Sequence, residues 1–556
     1  MATITHSLAA DTAASHAAGT ARLALRLQST LGLGLVGGLL LWLAMPPVDW
    51  WPLAWIAPAP WAMLAMRSRS PGRRGYYALW LAGFAFWLAA LHWLTLPHWT
   101  AGFGLLALAA YLAVYLPAFV GLTRVGVHRL GLPGIVVAPV VWTGLEMARA
   151  YLLSGFTMAG LAHTQYRWLS IIQISDLVGA YGVSFLVMFV AACLARMFLT
   201  QGQRITLWPL APLSMAIATA LAYGSWSMSH EPSRPGGKVA LIQGSIDTEM
   251  KADPNQGQMI FEQYVGLSRR AVADEPGVEL VVWPETMFRY PWFTFDPAFR
   301  PSDPQMPPPA RLEASSRREV AGLATLLDKP LLIGIDGVHY TPERMERYNS
   351  ALFASRAGEP LGRYDKMHLV MFGEYVPFAR ALPWLYSLTP LTGSADFGKA
   401  PLSAQVGGVR YAPNICYEST VPHLIAGQVR ALRALGEEPD VLVNLTNDGW
   451  FWGSAELDMH LACGVLRAVE CRKPFLIAAN TGFSAWIESD GHVVRQGRRR
   501  DTDIIIAQPQ LDGRRSWYLA VGDWPAGVCL ASCVVLAAVG LFGRRRPAEL
   551  AVNGTG

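Results

Sequence analysis

Long apolar runs separated by short polar stretches fill the first 226 residues. A bilayer core about 30 Å thick takes roughly 20 mostly apolar residues as a helix. Runs fitting that length stand at 28–46, 50–66, 76–95, 102–123, 133–152, 178–198 and 206–226, and after a long polar region an eighth runs over 517–543. The second run is short and Pro-rich, so a buried core helix is the alternative there. From Lys238 the pattern changes: short β-branched runs alternate with longer amphipathic ones, as in a layered α/β domain. Strands are predicted over 239–243, 278–283, 331–335, 350–354, 411–416, 441–444 and 475–479, and helices over 256–273, 311–327, 420–434 and 456–472. The stretch 291–309, with Phe293, Phe295, Pro301, Pro304 and Pro307 to Pro309, is too long and irregular for a simple connection. A lid, a membrane-facing arm and a disordered surface loop all fit it.

Composition agrees with an apolar body carrying one water-facing insert. Hydrophobic residues make up 52% of the chain and charged ones 15%, against about 25% charged in an average soluble domain. Of the 40 acidic residues, five precede residue 237 and two follow residue 516. The net charge of +5 is too small, and the arginines too scattered, for a nucleic-acid partner. The arginines instead mark alternate loops: Arg67, Arg69, Arg73 and Arg74, then Arg124 and Arg129, then Arg196 and Arg204, and finally Arg544 to Arg546, with Arg22 and Arg26 before the first run. The loops at 47–49 and 97–102 carry no Lys or Arg, and 153–177 carries only Arg167. Cytoplasmic loops collect these residues, so both termini are expected inside and the insert outside. The expected organisation is a loose cytoplasmic tail over 1–27 with no signal-peptide core, a seven-helix membrane domain over 28–227, the α/β insert over 237–515, a C-terminal membrane helix over 517–543 and a cytoplasmic tail over 544–556.

The chemistry gathers in the insert. Val281-Val282-Trp283-Pro284-Glu285 drives a carboxylate out of an apolar strand, where partial burial would suit it to general-base work. Asn414-Ile415-Cys416-Tyr417-Glu418 does the same for a thiol, and Tyr364-Asp365-Lys366 supplies one of six lysines in the chain. A strand-end thiol, a carboxylate to take its proton and a cation to hold an oxyanion are the parts for acyl transfer through a thioester.

These residues also carry a resemblance. The run from Gly362 through Lys366 and Phe372-Gly373-Glu374 to Pro377, with Trp283-Pro284-Glu285 and Ile415-Cys416-Tyr417-Glu418, resembles the nitrilase superfamily, whose triad is Glu, Lys and Cys in that order. The membrane frame narrows the resemblance to the apolipoprotein N-acyltransferases, with eight helices and an external nitrilase-like domain between the seventh and eighth. It covers about 28–543, and Val443-Asn444-Leu445-Thr446-Asn447-Asp448-Gly449-Trp450-Phe451 is a further similar segment. The implied fold is a polytopic helical membrane domain of about eight helices plus an αββα sandwich. The implied activity moves an sn-1 acyl chain from a phospholipid such as phosphatidylethanolamine to the α-amine of a diacylglyceryl-cysteine on a lipoprotein, at the outer face of the bacterial inner membrane. In that reading Cys416 is the nucleophile, Glu285 the base and Lys366 the oxyanion holder; Glu374 orients the lysine, and Tyr417 and Glu418 shape the pocket beside the thiol. No metal or organic cofactor is implied, and a monomer is the default.

The sequence departs from the family in places. Gly244-Ser245-Ile246-Asp247-Thr248 and Lys251-Ala252 stand where Gly-Asn-Ile-Pro-Gln and Lys-Trp are usual, with Trp292 and Trp384 as possible substitutes for the missing ring. Met371 stands for a proline, Gly155-Phe156-Thr157-Met158 lacks a Pro-Trp, and the segment from Phe451 to His460 lacks the Gly-Pro and Gln-His spelling. Glu146 and Arg149, one turn apart, are expected to form a structural ion pair, and Gln173 and Asp176 to cap the sixth run. His460, Cys463 and His368 do not have zinc spacing. Cys463 and Cys471 are expected in the core, and an odd number of insert cysteines leaves a free thiol. Rival functions are a membrane-tethered amidase, with water resolving the thioester, and a non-catalytic paralogue that binds lipid or lipoprotein.

Overall fold

The computed structural model describes residues 29–199, 205–230, 234–301, 303–379, 381–389, 391 and 393–542. The expected tails over 1–27 and 544–556 lie outside the described residues. The apolar runs fold as helices α1 (Thr30–Ala44), α2 (Ala59–Met66), α3 (Gly72–Ala90), α4 (Ala101–Leu112), α5 (Tyr115–His128), α6 (Gly134–Tyr151), α7 (Ala180–Phe198) and α8 (Leu210–Met228). In the second run, prolines at Pro52, Pro58 and Pro60 lack the N–H a continuous helix needs, so a 3-10 turn over Trp51–Trp55 precedes a short α2.

The insert contributes helices α9 (Gly257–Asp274), α10 (Pro309–Leu327), α11 (Pro422–Ala434) and α12 (Ala455–Cys471), and α13 (Trp524–Phe542) closes the chain. Four segments among the described residues are long and apolar enough to cross a membrane: Ala101–His128, which joins α4 and α5, Gly134–Ser154, Ala180–Phe198 and Trp524–Phe542. Helix thus occurs in each of the eight expected runs, but among the described residues only four segments have the length and composition of a membrane span. Among the others, α1 has 15 residues, the second run is broken, and α3 opens on Arg73 and Arg74. Two arginines from the basic loops serve helix C-termini, whose last carbonyls lack partners. Arg124 donates to the carbonyls of Leu64, Ala65, Arg67 and Ser68, and Arg129 to those of Val539 and Gly540. The ends of α2, α5 and α13 thus meet on one side.

The insert strands are β1 (Lys238–Gln243), β2 (Val278–Phe295), β3 (Leu331–Tyr340), β4 (Met345–Ala354), β5 (Pro360–Asp365), β6 (Ala404–Val406), β7 (Val409–Ile415), β8 (Val441–Thr446), β9 (Phe475–Ala479), β10 (Ala485–Ile487), β11 (Val493–Gln496) and β12 (Asp503–Ala507). They form two six-stranded sheets, in orders β12-β1-β2-β3-β4-β5 and β11-β10-β9-β8-β7-β6. Val239, Val282, Leu332 and Phe353 of the first sheet meet Tyr411, Val443 and Leu476 of the second in one core. On the outer face of the first sheet α9 and α10 pack through Ile260, Tyr264, Val320 and Leu323. Helices α11 and α12 cover the second sheet, which completes an αββα sandwich. Their core, with Ile425, Val429, Leu461 and Val465, continues without a break into Ile171, Ile172, Val183 and Leu186 of the N-terminal part.

Three expectations are corrected here. The stretch 291–309 is not irregular throughout: Trp292 to Phe295 extend β2 against β3, and Phe295 and Phe299 pack on Tyr340 at 5.1 and 5.2 Å. Alternating aromatic side chains suit a paired strand better than a free arm. Trp292 accordingly lies in the core rather than at an entrance.

Glu146 and Arg149 make no ion pair within 4 Å among the described residues. Glu146 accepts from the Trp142 indole and the Leu161 amide, and Arg149 lies over the Trp87 ring at 5.2 Å.

Gln173 and Asp176 do not cap α7, whose first amide, on Ala180, donates to Glu470 of the insert at 2.7 Å. Both residues instead grip Arg472, a fully buried guanidinium just past the end of α12. Its Nη2 donates to Asp176 at 2.6 Å and to Ser227 at 2.8 Å, and its Nη1 to Gln173 at 2.7 Å.

Candidate active site

Glu285, Lys366 and Cys416 stand where strand pairing is interrupted or ends. In β2 the register against β3 jumps between Trp283 and Phe288, and Thr286 takes a φ of +51°. The bulge turns Glu285 out of the ladder. β3 can pass this bulge because it presents Gly334, where an added Cβ would stand 2.2 Å from the Pro284 carbonyl oxygen. Lys366 follows the last residue of β5, its amide bonded to the Asn349 carbonyl at 2.9 Å. Cys416 follows β7 directly and opens the turn Cys416–Thr420 with a φ of +51°. That left-handed conformation costs a non-glycine residue about 1–3 kcal/mol.

The structure brings Glu285, Lys366 and Glu374 together. The Lys366 ammonium, 1% exposed, lies 2.8 and 2.9 Å from the two Glu374 oxygens and 3.5 Å from Glu285 Oε1. Asn349, on β4, bridges the carboxylates: its Nδ2 donates to Glu285 Oε1 at 2.6 Å and to Glu374 Oε1 at 3.0 Å. The remaining Glu285 oxygen accepts from the Asn447 amide at 2.9 Å, and Glu374 Oε2 from the Val370 amide at 2.8 Å.

Burial draws the lysine pKa down, but Glu374, Cys416 and Glu285 outweigh it and hold it above the ordinary value, so the ammonium stays charged. Burial pushes Glu374 up, yet Lys366 and the amide donors bring it below the usual carboxylate range. The half-buried Cys416 thiol is pushed well above its ordinary value, by burial first and Glu285 second, with Lys366 pulling the other way. So placed, the Cys416 group rests as a neutral thiol, and Glu285 is the carboxylate that acts on it most strongly.

Tyr417 and Glu418 are placed differently from the expectation of two pocket-shaping neighbours. Tyr417 reaches the N-terminal part, its hydroxyl donating to the Gly155 carbonyl at 3.2 Å, and its ring stacks on His368 at 5.8 Å. Glu418 is fully buried. Its oxygens accept from the Ile415, Met367 and His368 amides at 2.7, 2.7 and 2.9 Å and from the Tyr364 hydroxyl at 2.8 Å. The carboxylate clamps the lysine segment to the cysteine turn, because a buried acceptor recruits whatever donors surround it.

Sequence reasoning missed Asn349, which stands just before the predicted strand 350–354 among Glu346, Arg347 and Ser350 and carries no signal of its own. His460, Cys463 and His368 do not converge. Among the described residues one metal-capable trio does, Asp448, Glu456 and His460, with ligand atoms within 4.8 Å. His460 hydrogen-bonds Asp448 at 3.2 Å, and Glu456 Oε1 lies 3.9 Å from the same ring nitrogen. Cys463 and Cys471 are buried, and no cysteine among the described residues is in a disulfide.

A sequence profile described as carbon-nitrogen hydrolase matches residues 238–518, and one described as apolipoprotein N-acyltransferase N-terminal domain matches 37–193. The insert is thus a nitrilase-superfamily α/β domain. A structure of a Saccharomyces cerevisiae member of branch 10 of that superfamily aligns over 53% of this chain and 97% of its own, with 19% identity and a TM-score of 0.36. Similar to the whole chain are the apolipoprotein N-acyltransferase of Rhodopirellula baltica, 33% identical over 88% of this chain and 93% of its own, and that of Geobacter metallireducens, 35% identical over 91% and 94%. The chain belongs to the apolipoprotein N-acyltransferase family.

Proposed function

We propose that this protein N-acylates lipoproteins, moving an sn-1 acyl chain from a phospholipid, with phosphatidylethanolamine as donor, onto the free α-amine of a diacylglyceryl-cysteine. Glu285 takes the Cys416 proton as sulfur attacks the ester carbonyl, and the Lys366 ammonium stabilises the tetrahedral oxyanion. Collapse forms the thioester and breaks the ester C–O bond; the leaving glycerol oxygen takes the proton from Glu285 and departs as lysophospholipid. The lipoprotein amine then attacks the thioester and gives a proton to Glu285. The second oxyanion collapses to the amide, and the released thiolate recovers that proton. Glu374 and Asn349 keep lysine and base in place through both halves.

One observation carries the choice of lipid over small-amide chemistry. The nucleophile turn is bonded into the apolar part of the chain, through Tyr417 to Gly155 and from Thr157 Oγ1 to Thr420 Oγ1 at 3.2 Å. A thiol held there meets substrates that diffuse in the lipid plane. In this reading all eight apolar runs are embedded in the bacterial inner membrane, the insert faces the periplasm, both termini face the cytoplasm and the protein acts as a monomer. The alternation of arginine loops and the common side of the α2, α5 and α13 ends support that orientation.

The test is intact-protein mass spectrometry after incubating the detergent-solubilised protein with phosphatidylethanolamine. A hydroxylamine-labile fatty-acyl adduct, absent from Cys416→Ala and discharged by a diacylglyceryl lipopeptide, is expected. Discharge by water alone, or turnover of a small amide without lipid, would instead support an amidase.

A further inference from the structure

Cys416 is held in a left-handed conformation, and its carbonyl oxygen accepts from the Ser419 hydroxyl at 3.1 Å and from Asn444 Nδ2 at 3.1 Å. A third group reaches it from α12: His460 Nε2 lies 3.2 Å from that oxygen and 2.7 Å from Ser419 Oγ. The other ring nitrogen faces Asp448 Oδ1 at 3.2 Å and Glu456 Oε1 at 3.9 Å. Asp448 is itself fixed, since Oδ1 accepts from Thr446 Oγ1 at 2.7 Å and Gly482 leaves the room for Oδ2, where an added Cβ would stand 2.1 Å away. His460, Asp448, Glu456 and Ser419 are all buried.

We infer that His460 is a positioning residue for the nucleophile, which grips the Cys416 carbonyl and the Ser419 hydroxyl and so holds the turn that presents the thiol to Glu285 and Lys366. Burial lowers the ring's pKa, but Asp448 and then Glu456 raise it to about 9. Both ring nitrogens therefore carry protons at neutral pH. Nδ1–H donates to Asp448, and Nε2–H is left as a donor toward the Cys416 turn. The ring touches no reacting atom and acts through the cysteine main chain. With its hydroxyl 2.7 Å from the ring, Ser419 passes the same hold to the carbonyl. The inference rests on the thioester chemistry proposed above.

The test is the single-turnover rate of thioester formation in the full chain, with phosphatidylethanolamine in mixed micelles, followed by intact mass. His460→Phe keeps the ring and removes both donors, and is expected to slow the step roughly ten- to hundredfold, the range for losing one charged hydrogen bond. His460→Gln restores an N–H near the Nε2 position and is expected to recover most of that loss, which a role in filling space would not do. Ser419→Ala, the milder change, is expected to slow the step several-fold and decides the matter if His460→Phe does not fold. Wild-type rates in His460→Phe or Ser419→Ala, or equal slowing in folded Phe and Gln variants, would overturn the inference alone. Absence of any adduct in the unmodified protein would overturn the proposed function and this inference with it.

Discussion

Replacing Glu418 by glutamine removes one negative charge and turns one acceptor oxygen into a donor while leaving the side chain's size unchanged. Oε1 accepts from the Met367 and His368 amides, Oε2 from the Ile415 amide, and both from the Tyr364 hydroxyl. Whichever oxygen becomes NH2 then faces a main-chain N–H that cannot turn away. At least one bond to a charged acceptor is lost, at about 1.5–3 kcal/mol, and the survivors weaken to about half as neutral bonds. The expected cost is about 3–5 kcal/mol, a large share of the roughly 5–15 kcal/mol that stabilises a domain. Because the donors belong to two segments, the damage should be local, with faster amide exchange over 364–370 and 413–420 while the sheets stay protected. Hydrogen exchange by mass spectrometry on Glu418→Gln reads this directly, beside its rate of thioester formation. Unchanged exchange in both segments, with weaker substrate binding, would refute the clamp and return Glu418 to the pocket wall.

Removing Arg472 takes the ion-pair partner from buried Asp176 and leaves it the Tyr223 hydroxyl, so Arg472→Met should cost about 3 kcal/mol, read as a lower melting temperature in detergent; adding Asp176→Asn should restore part of it. Glu374→Gln takes the nearest carboxylate from the buried lysine and is expected to slow thioester formation roughly tenfold or more by loosening Lys366, while phospholipid binding is preserved; loss of binding with an unchanged acylation rate would contradict this. The His460 ring, with its folded pKa raised to about 9, contributes stability that is complete below its ordinary value of 6.5 and is lost as pH rises through about 9. The contribution is about 3 kcal/mol, so the gap in melting temperature between the unmodified protein and His460→Gln should narrow from pH 6.5 to 9.5, and a constant gap would contradict the charge assignment.

The runs that became helices and the inner strands were legible because burial imposes a local period: long apolar stretches for α6, α7 and α13, and short β-branched ones for β1, β8 and β9. Glu285 and Cys416 stood out as candidates because each falls at the end of such a run, and Lys366 because lysine is scarce in this chain. Strands β5, β6, β10, β11 and β12 were not: β6, β10 and β11 are three or four residues long with mixed polarity, too short for any period, and β5 and β12 are the two edges of the first sheet. The extension of β2 past Phe288 was hidden by prolines that a bulged strand tolerates.

What no local pattern contained was the choice of partner. Asp176 looked like a helix cap and is instead held by Arg472, nearly three hundred residues later, while Glu470 takes the amide that a cap would have served. Glu146 and Arg149 have the spacing of an ion pair, yet each finds nearer company in Trp142, Leu161 and Trp87. Glu418 lies two residues from Cys416, yet it accepts from the lysine segment. The sequence by itself determined which stretches must leave water and which few groups had the chemistry for acyl transfer. The tertiary structure decided which donor each buried acceptor would meet, because a hydrogen-bond partner is set by packing across elements and leaves no period along the chain.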